Sequence, residues 1–339
     1  MTQLNNAFTL FLSLLVEAMP FLLLGVVFSG LLLLFIDERQ LVAKLPKNPL
    51  LGALVGSMVG FLFPVCECGN VPVARRLLMQ GVPAPVAIGF LLAAPTINPI
   101  VIWATWTAFR DQPEIVVLRV VFSLAIATII GWVFSAQADL KPLLQPAVAA
   151  TWQLSRKQAE STKEQTPKLL QSGTFWLAEP GNSVRMDATI LQATLAATTA
   201  KKPLSDRLRL LLDNTVQELR ELGSVLVIGS AIAAAIQVLA PREVILSLGG
   251  GEITSILTMM LMAAVVSICS TVDSFFALSF ASTFTSGSLL AFLVFGPMID
   301  LKGVGLMLSI FKPRAIIYIF ALAAQMTFLL TLFVNLHVI

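Results

Sequence analysis

The sequence predicts an all-α integral membrane protein of two inverted repeats, each with three transmembrane helices and one re-entrant, broken helical hairpin. Eight or more straight transmembrane helices are the alternative. Three observations carry the prediction. Of 339 residues, 57% are hydrophobic and only 12% charged, with a mean hydropathy of +0.88, where a soluble domain carries roughly 25% charged residues. The apolar residues arrive in blocks of about 20, each able to cross a ~30 Å hydrocarbon layer, and no series of alternating segments suggests a barrel. Polar landmarks of the first half recur in the second.

The blocks, in order, are residues 8–36, 82–109, 115–134, 222–239, 289–311 and 315–336, with shorter ones at 50–65 and 253–268. The first is too long for a signal-peptide core and has no basic residue before it, so it is expected to be retained as a helix. From residue 138 to about 204 the chain turns polar, without repeat, Gly-rich phosphate loop or metal-ligand cluster, and reads as a hydrophilic linker. It separates a first transmembrane repeat (1–137) from a second (205–339). Past it, leucines at helical spacing behind the start signals Pro203 and Ser205 lead into the next span.

Glu17 and Gly25 correspond to Glu221 and Gly229 at an offset of 204 residues, Cys66 and Asn70 to Cys269 and Asp273 at 203, and Pro95 and Asn98 to Pro297 and Asp300 at 202. Basic residues then set orientation. Arg39, Lys44, Lys47, Arg75 and Arg76 mark one side in the first half, and Lys312 and Arg314 occupy the place of the net-negative RDQPE loop in the second. Since Lys and Arg favour cytoplasmic loops, the halves are expected upside down relative to each other. That requires an odd number of crossings per half, which a re-entrant hairpin entering at 50–65, breaking at CECGN and returning through VPVARRLLMQG supplies. The linker then lies in the cytoplasm and both termini in the periplasm.

Gly69 and Pro72 predict that CECGNVP unwinds, as do Pro95 and Pro99 for APTINP and Pro297 for GPMID. Free backbone groups at membrane depth must line a cavity or be buried in protein. Two hairpin tips and two broken spans meeting at a pseudo-two-fold axis would form a midplane site. Its candidate substrate-binding residues are Cys66, Glu67, Cys68, Asn70, Asn98, Cys269, Asp273 and Asp300, with Cys66 and Cys68 also the metal candidates. Glu17 and Glu221 are candidates for ion coupling. Glu17 falls midway along an apolar block, where an unpaired charge costs on the order of 3 kcal/mol or more. Blander readings stand beside these. The cysteines can be small apolar filler, Asp273 and Asp300 can cap half-helices, Glu221 can lie at the interface, and Arg75 and Arg76 read as topological anchors. Trp103, Trp106 and Trp132 read as interfacial, and His337, the sole histidine, suggests no metal site.

The run SLLVEAMPFLLLGVVFSG, with the later CECGNVPVARRLLMQGVPAPVAIGFLLAAPTINP, resembles the ArsP/YraQ-type permease family of bacterial inner-membrane proteins across both hydrophobic halves. The resemblance implies a location in the cell inner membrane. It also implies efflux of trivalent organoarsenicals in which paired cysteines, here Cys66 and Cys68, handle the arsenic. This chain departs from the family's C-S-C-G pattern by placing Glu67 between them, which leaves a soft metal cation or a proton-coupled solute open as substrate.

The functional expectation is therefore a non-enzymatic permease, a secondary transporter working by alternating access, since no ATP-binding signature is present. A membrane-embedded thiol oxidoreductase or metal-handling accessory subunit is the alternative. The expected partners are the lipid bilayer, a small solute or metalloid and a coupling ion, proton or sodium. A homo-oligomer is left open, and neither a cofactor nor nucleic acid is expected.

Overall fold

The computed structural model describes residues 2–35, 45–46, 48–62, 66–135, 142–146, 148–153, 204–239 and 251–337. The linker at 138–204 and the basic residues Arg39, Lys44 and Lys47 lie almost entirely outside them. Helices α1 (Thr2–Phe35), α2 (Pro49–Val59), α3 (Glu67–Met79), α4 (Ala84–Ile97), α5 (Pro99–Ala108) and α6 (Pro113–Ser135) make up the first half. The second comprises α7 (Leu204–Leu239), α8 (Glu252–Val266), α9 (Asp273–Leu278), α10 (Ser286–Met298), α11 (Leu301–Met307) and α12 (Pro313–His337). The protein is an all-α integral membrane protein. Among the described residues six helical stretches are long and apolar enough to cross a membrane, and α2 and α8 are apolar but shorter.

Burial sorts the spans. The stretches Ala84–Ala108 and Ser286–Met307 are each 78% buried, against 28% for Asn5–Leu31 and Thr215–Ile236, so the first two are central and the others face lipid with side chains such as Phe8, Val16, Ile228 and Ile232. Both central stretches are broken. The first is interrupted at Asn98, whose backbone is extended (ψ 135°), and the second at Ile299 and Asp300, both extended. In each a proline sits just upstream, Pro95 or Pro297, and removes a helical N–H.

Small residues let the helices close up, since apolar burial alone gives helices no net attraction in lipid. A methyl group added at Gly25 of α1 would run into the backbone of Gly69 on α3, and one at Gly56 of α2 into the backbone of Val86 on α4. Gly81 takes a positive φ of 81° in the α3–α4 turn, a conformation that favours glycine. Across the halves α1 packs on α7, α3 on α11, α5 on α9 and α4 on α10.

One local expectation is corrected. CECGNVP does not unwind: α3 is helical from Glu67 onward with Pro72 inside it, and Cys66 is its extended N-cap (φ −79°, ψ 179°). Pro72 sits near the start of the helix, where its missing N–H removes a single bond, to the Cys68 carbonyl, and the turn survives. The interruption lies at Cys66, ahead of the motif's glycine and proline.

Candidate functional site

The start of α3 places a thiol at its N-cap (Cys66), a carboxylate in its first turn (Glu67) and a second thiol one residue on (Cys68), all buried. A negative charge is favoured there, because the first N–H groups of a helix are unsatisfied and the dipole is positive at that end. Facing it, α8 ends at Ser267 in the left-handed region (φ 48°), the one non-glycine positive φ among the described residues. A serine held there is strained, and the turn it makes delivers Cys269 to the interior. The Ser267 hydroxyl accepts from the Leu301 N–H at 3.1 Å, tying the turn to the start of α11.

The start of α3 and the turn after α8 meet. One ligand atom each of Cys66, Glu67 and Cys269 lie within 4.8 Å of one another, and the Cys66 thiol contacts the thiols of both Cys269 and Cys68. All three cysteines are free. Two sulfurs and one carboxylate oxygen make a donor set suited to a soft or borderline metal ion or to trivalent arsenic. Around it stand buried polar atoms without hydrogen-bond partners among the described residues, including Glu67 Oε2, Asp300 Oδ2, Asn70 Oδ1, Ser270 Oγ and Glu17 Oε1. Buried polar groups are normally paired, so such a concentration marks a place for water or a ligand.

Lys302 completes the neighbourhood. Its side chain is only 2% exposed, it lies in the first turn of α11 where the helix dipole opposes a cation, and Asp300, Cys68, Glu67 and Glu17 are within its electrostatic reach. Among the described residues it forms no ion pair within 4 Å.

The remaining candidates are placed differently from one another. Asp300 caps α11, accepting from the Gly303 N–H at 2.7 Å through Oδ1, while Oδ2 has no hydrogen-bond partner in good geometry among the described residues. Asn98, its counterpart by offset, caps α5 by accepting from Ile100 N–H at 2.9 Å. Asn70 donates to the Leu91 carbonyl at 2.6 Å. Leu91 is the residue whose helical partner would be Pro95, so Asn70 supplies the donor that the proline lacks. Asp273 stands apart from the thiols and is held by Arg119 of α6 in a fork, Nη2 to Oδ2 at 2.7 Å and Nη1 to Oδ1 at 3.2 Å. Thr105 and Ser274 accept from the same Nη1 at 2.7 and 2.8 Å. Glu221 is half exposed and accepts from Arg75 at 3.0 Å. Arg76 approaches Glu218 at 3.9 Å, so both arginines, read from the sequence as topological anchors, are buried and join α3 to α7.

Sequence reasoning missed Arg119, Lys302 and Glu218. The first two carried a signal: each is a lone cation inside an apolar block, where a charge persists only with a partner or a task. Glu218 had a weaker one, three residues before Glu221 on the same helical face.

A protein family described as a predicted permease matches residues 3–336. UPF0718 protein YcgR of Bacillus subtilis (strain 168) is 38% identical over 312 residues, covering 92% of this chain and 90% of that protein. A putative two-component membrane permease complex subunit of Streptococcus mutans serotype c is 32% identical over 308 residues, covering 91% of this chain and 88% of that protein. No solved structure matches significantly.

Proposed function

From the premise that this chain belongs to the predicted-permease family, we propose that it is a secondary transporter moving a soft metal or metalloid species, organoarsenical-like in its affinity for thiols, across the cell inner membrane by alternating access. The observation that carries this reading is the meeting of Cys66, Glu67 and Cys269 within 4.8 Å, from segments some 200 residues apart in the chain, beside the break at Asp300. Unwound backbone and functional side chains at the junction of two halves are the usual setting of a transporter's substrate site. Cys66 and Cys269 bind the substrate, Glu67 supplies an oxygen, and Cys68, in contact with Cys66, is the reserve thiol. Asn70, Asn98 and Asp273 shape the site, holding the kink, the cap and the second hairpin.

The two halves act as inverted repeats, 1–137 and 205–339, joined by a cytoplasmic linker at 138–204, with both termini periplasmic. Each half contributes one re-entrant hairpin, α2–α3 and α8–α9. Glu17, with a buried carboxylate oxygen that lacks a partner among the described residues, is the better-placed of the two ion-coupling candidates. Glu221 is engaged by Arg75.

The test is flux in proteoliposomes, with Cd²⁺ and a trivalent phenylarsenical as probes. Transport of at least one is expected in the wild type and its loss in Cys66→Ser and in Cys269→Ser, both retaining the wild-type elution profile. Serine variants that transport at the wild-type rate would overturn the thiol reading.

A further inference from the structure

Three ion pairs join the first half to the second: Arg75–Glu221 at 3.0 Å, Arg76–Glu218 at 3.9 Å and Arg119–Asp273 at 2.7 Å. They fall into two groups with the thiol site between them. We propose that these groups are the two gates of the transporter. Arg75 and Arg76 with Glu221 and Glu218 close the path on one side of Cys66 and Cys269, and Arg119 with Asp273 closes it on the other. The proposal rests on the reading of this chain as an alternating-access transporter with the thiols at its substrate site.

Helix register places the groups. From Cys66, α3 runs to the turn at Gly81, and α4 comes back along it from Ala84. Asn70 reaches the Leu91 carbonyl at 2.6 Å, and its N–H bonds the Cys66 carbonyl one turn earlier at 3.1 Å. Cys66 therefore lies toward the break at Asn98, whereas Arg75 and Arg76, beyond Asn70, lie level with the start of α4. Past the break, the Thr105 hydroxyl accepts from Arg119 at 2.7 Å. Leu91 and Thr105 stand seven residues before and seven after Asn98, about 10 Å to each side at helical rise. Asp273, held by Arg119, is one turn past Cys269, whose carbonyl accepts from the Asp273 N–H at 3.0 Å. Each group is thus carried by the same segment as one of the two thiol ligands.

Ion pairs suit a contact that has to open and close. Desolvation offsets much of the attraction in a buried or half-buried pair, so little net stability is lost when water enters from its own side and hydrates both members as they part. An apolar contact has no such compensation and would expose its surface at about 25 cal/mol per Å². Here all three pairs are closed, and Cys66, Glu67 and Cys269 are buried, the occluded arrangement of two gates. A centre bound to both sulfurs ties the start of α3 to the turn before α9, and so links one gate to the other.

The Cys269 thiol itself reports the gates. The full chain is placed in a bacterial inner membrane, a membrane-impermeant charged maleimide is offered to right-side-out or inside-out vesicles, and Cys269 adducts are followed by peptide mass spectrometry. Glu218→Gln/Glu221→Gln, which keeps both arginines, is expected to speed labelling at least about tenfold from one face only, the population shift that loss of a charge-assisted hydrogen bond produces. Asp273→Asn is expected to do the same from the opposite face only, and Arg119→Gln, a second way of opening that pair, to match it, each variant retaining the wild-type elution profile. Labelling that rises from the same face in both groups, from both faces in either group, or from neither face overturns the proposal. Cd²⁺ in a parallel sample separates the two readings. Protection of Cys269 by Cd²⁺ supports the thiol site, whereas sided labelling that Cd²⁺ does not slow strikes the thiol reading and leaves the gates standing.

Discussion

The Arg119–Asp273 pair joins α6 of the first half to α9 of the second, and replacing Asp273 by leucine exposes what it is worth. The guanidinium forks onto both carboxylate oxygens at 2.7 and 3.2 Å, with side chains 1% and 3% exposed. Removing the carboxylate leaves a buried cation whose remaining partners, Thr105 and Ser274, are neutral hydroxyls, and the expected loss is about 3–5 kcal/mol. Arg119→Met should cost a similar amount by stranding the carboxylate. The double variant Arg119→Met/Asp273→Leu removes both charges, while the Thr105 and Ser274 hydroxyls still face each other at 3.0 Å and Thr105 still donates to the Val101 carbonyl at 2.7 Å. Its loss is expected to be smaller than either single loss. Unfolding in mixed dodecylmaltoside and SDS micelles, followed by far-ultraviolet circular dichroism, gives all four corners of the cycle. Single losses below about 1 kcal/mol, or losses that simply add in the double variant, would refute the assignment of a buried, mutually dependent charge pair.

Other perturbations probe other joints. Asn70→Ala strips the Leu91 carbonyl of its donor and should cost about 1–3 kcal/mol, whereas Asn70→Ala/Pro95→Ala restores a helical N–H and should recover much of it; an unrescued double variant speaks against the kink-filling role. Gly25→Ala drives a methyl into the Gly69 backbone, which cannot step aside, so a lower unfolding midpoint worth about 1–3 kcal/mol is expected, and an unchanged midpoint would show that α1 and α3 are not in close contact. Cys68 lies outside the ligand triad, so Cys68→Ser should keep Cd²⁺ affinity within about threefold while Cys66→Ser loses at least about tenfold, as each thiolate bond to a soft ion outweighs a hydroxyl. Equal losses would move the site onto the Cys66–Cys68 pair.

Much of this was legible because membranes restrict what a sequence can do. Apolar block length gave the spans, and proline position gave both breaks of the central stretches, at Asn98 and at Asp300. The sequence put Cys66, Glu67, Cys68 and Cys269 among the candidate ligands and paired Cys66 with Cys68 for a metal, whereas folding groups Cys66 with Glu67 and Cys269 and leaves Cys68 outside the triad. That grouping depends on the left-handed turn at Ser267, a conformation that no residue type in VVSICS announces. The local error at CECGNVP has the opposite origin: Gly and Pro were weighed by type and not by position, and within the first two turns of a helix they break little. Arg119 and Lys302 went unread because block length averages over single residues, and in lipid the exceptional residue carries more information than the average.

The positions paired by offset do not carry equal chemistry, and this asymmetry shapes the site. At one pair the first half has Asn70 and the second Asp273. The amide of Asn70 satisfies a kinked neighbour in its own half, whereas the carboxylate of Asp273 is engaged by Arg119 from the other half. At another pair Asn98 is neutral and caps α5, while Asp300 caps α11 with one oxygen and its other has no hydrogen-bond partner among the described residues. The start of α3 therefore meets α11, where among the described residues Asp300 Oδ2 has no hydrogen-bond partner and Lys302 no ion pair within 4 Å. The start of α9 brings its acid to a surface, α5 and α6, where the Arg119 guanidinium engages both carboxylate oxygens. Of these two contacts between the halves, the one at Asp273 is an engaged ion pair, whereas the one at Cys66 brings ligand atoms of Cys66, Glu67 and Cys269 within 4.8 Å of one another.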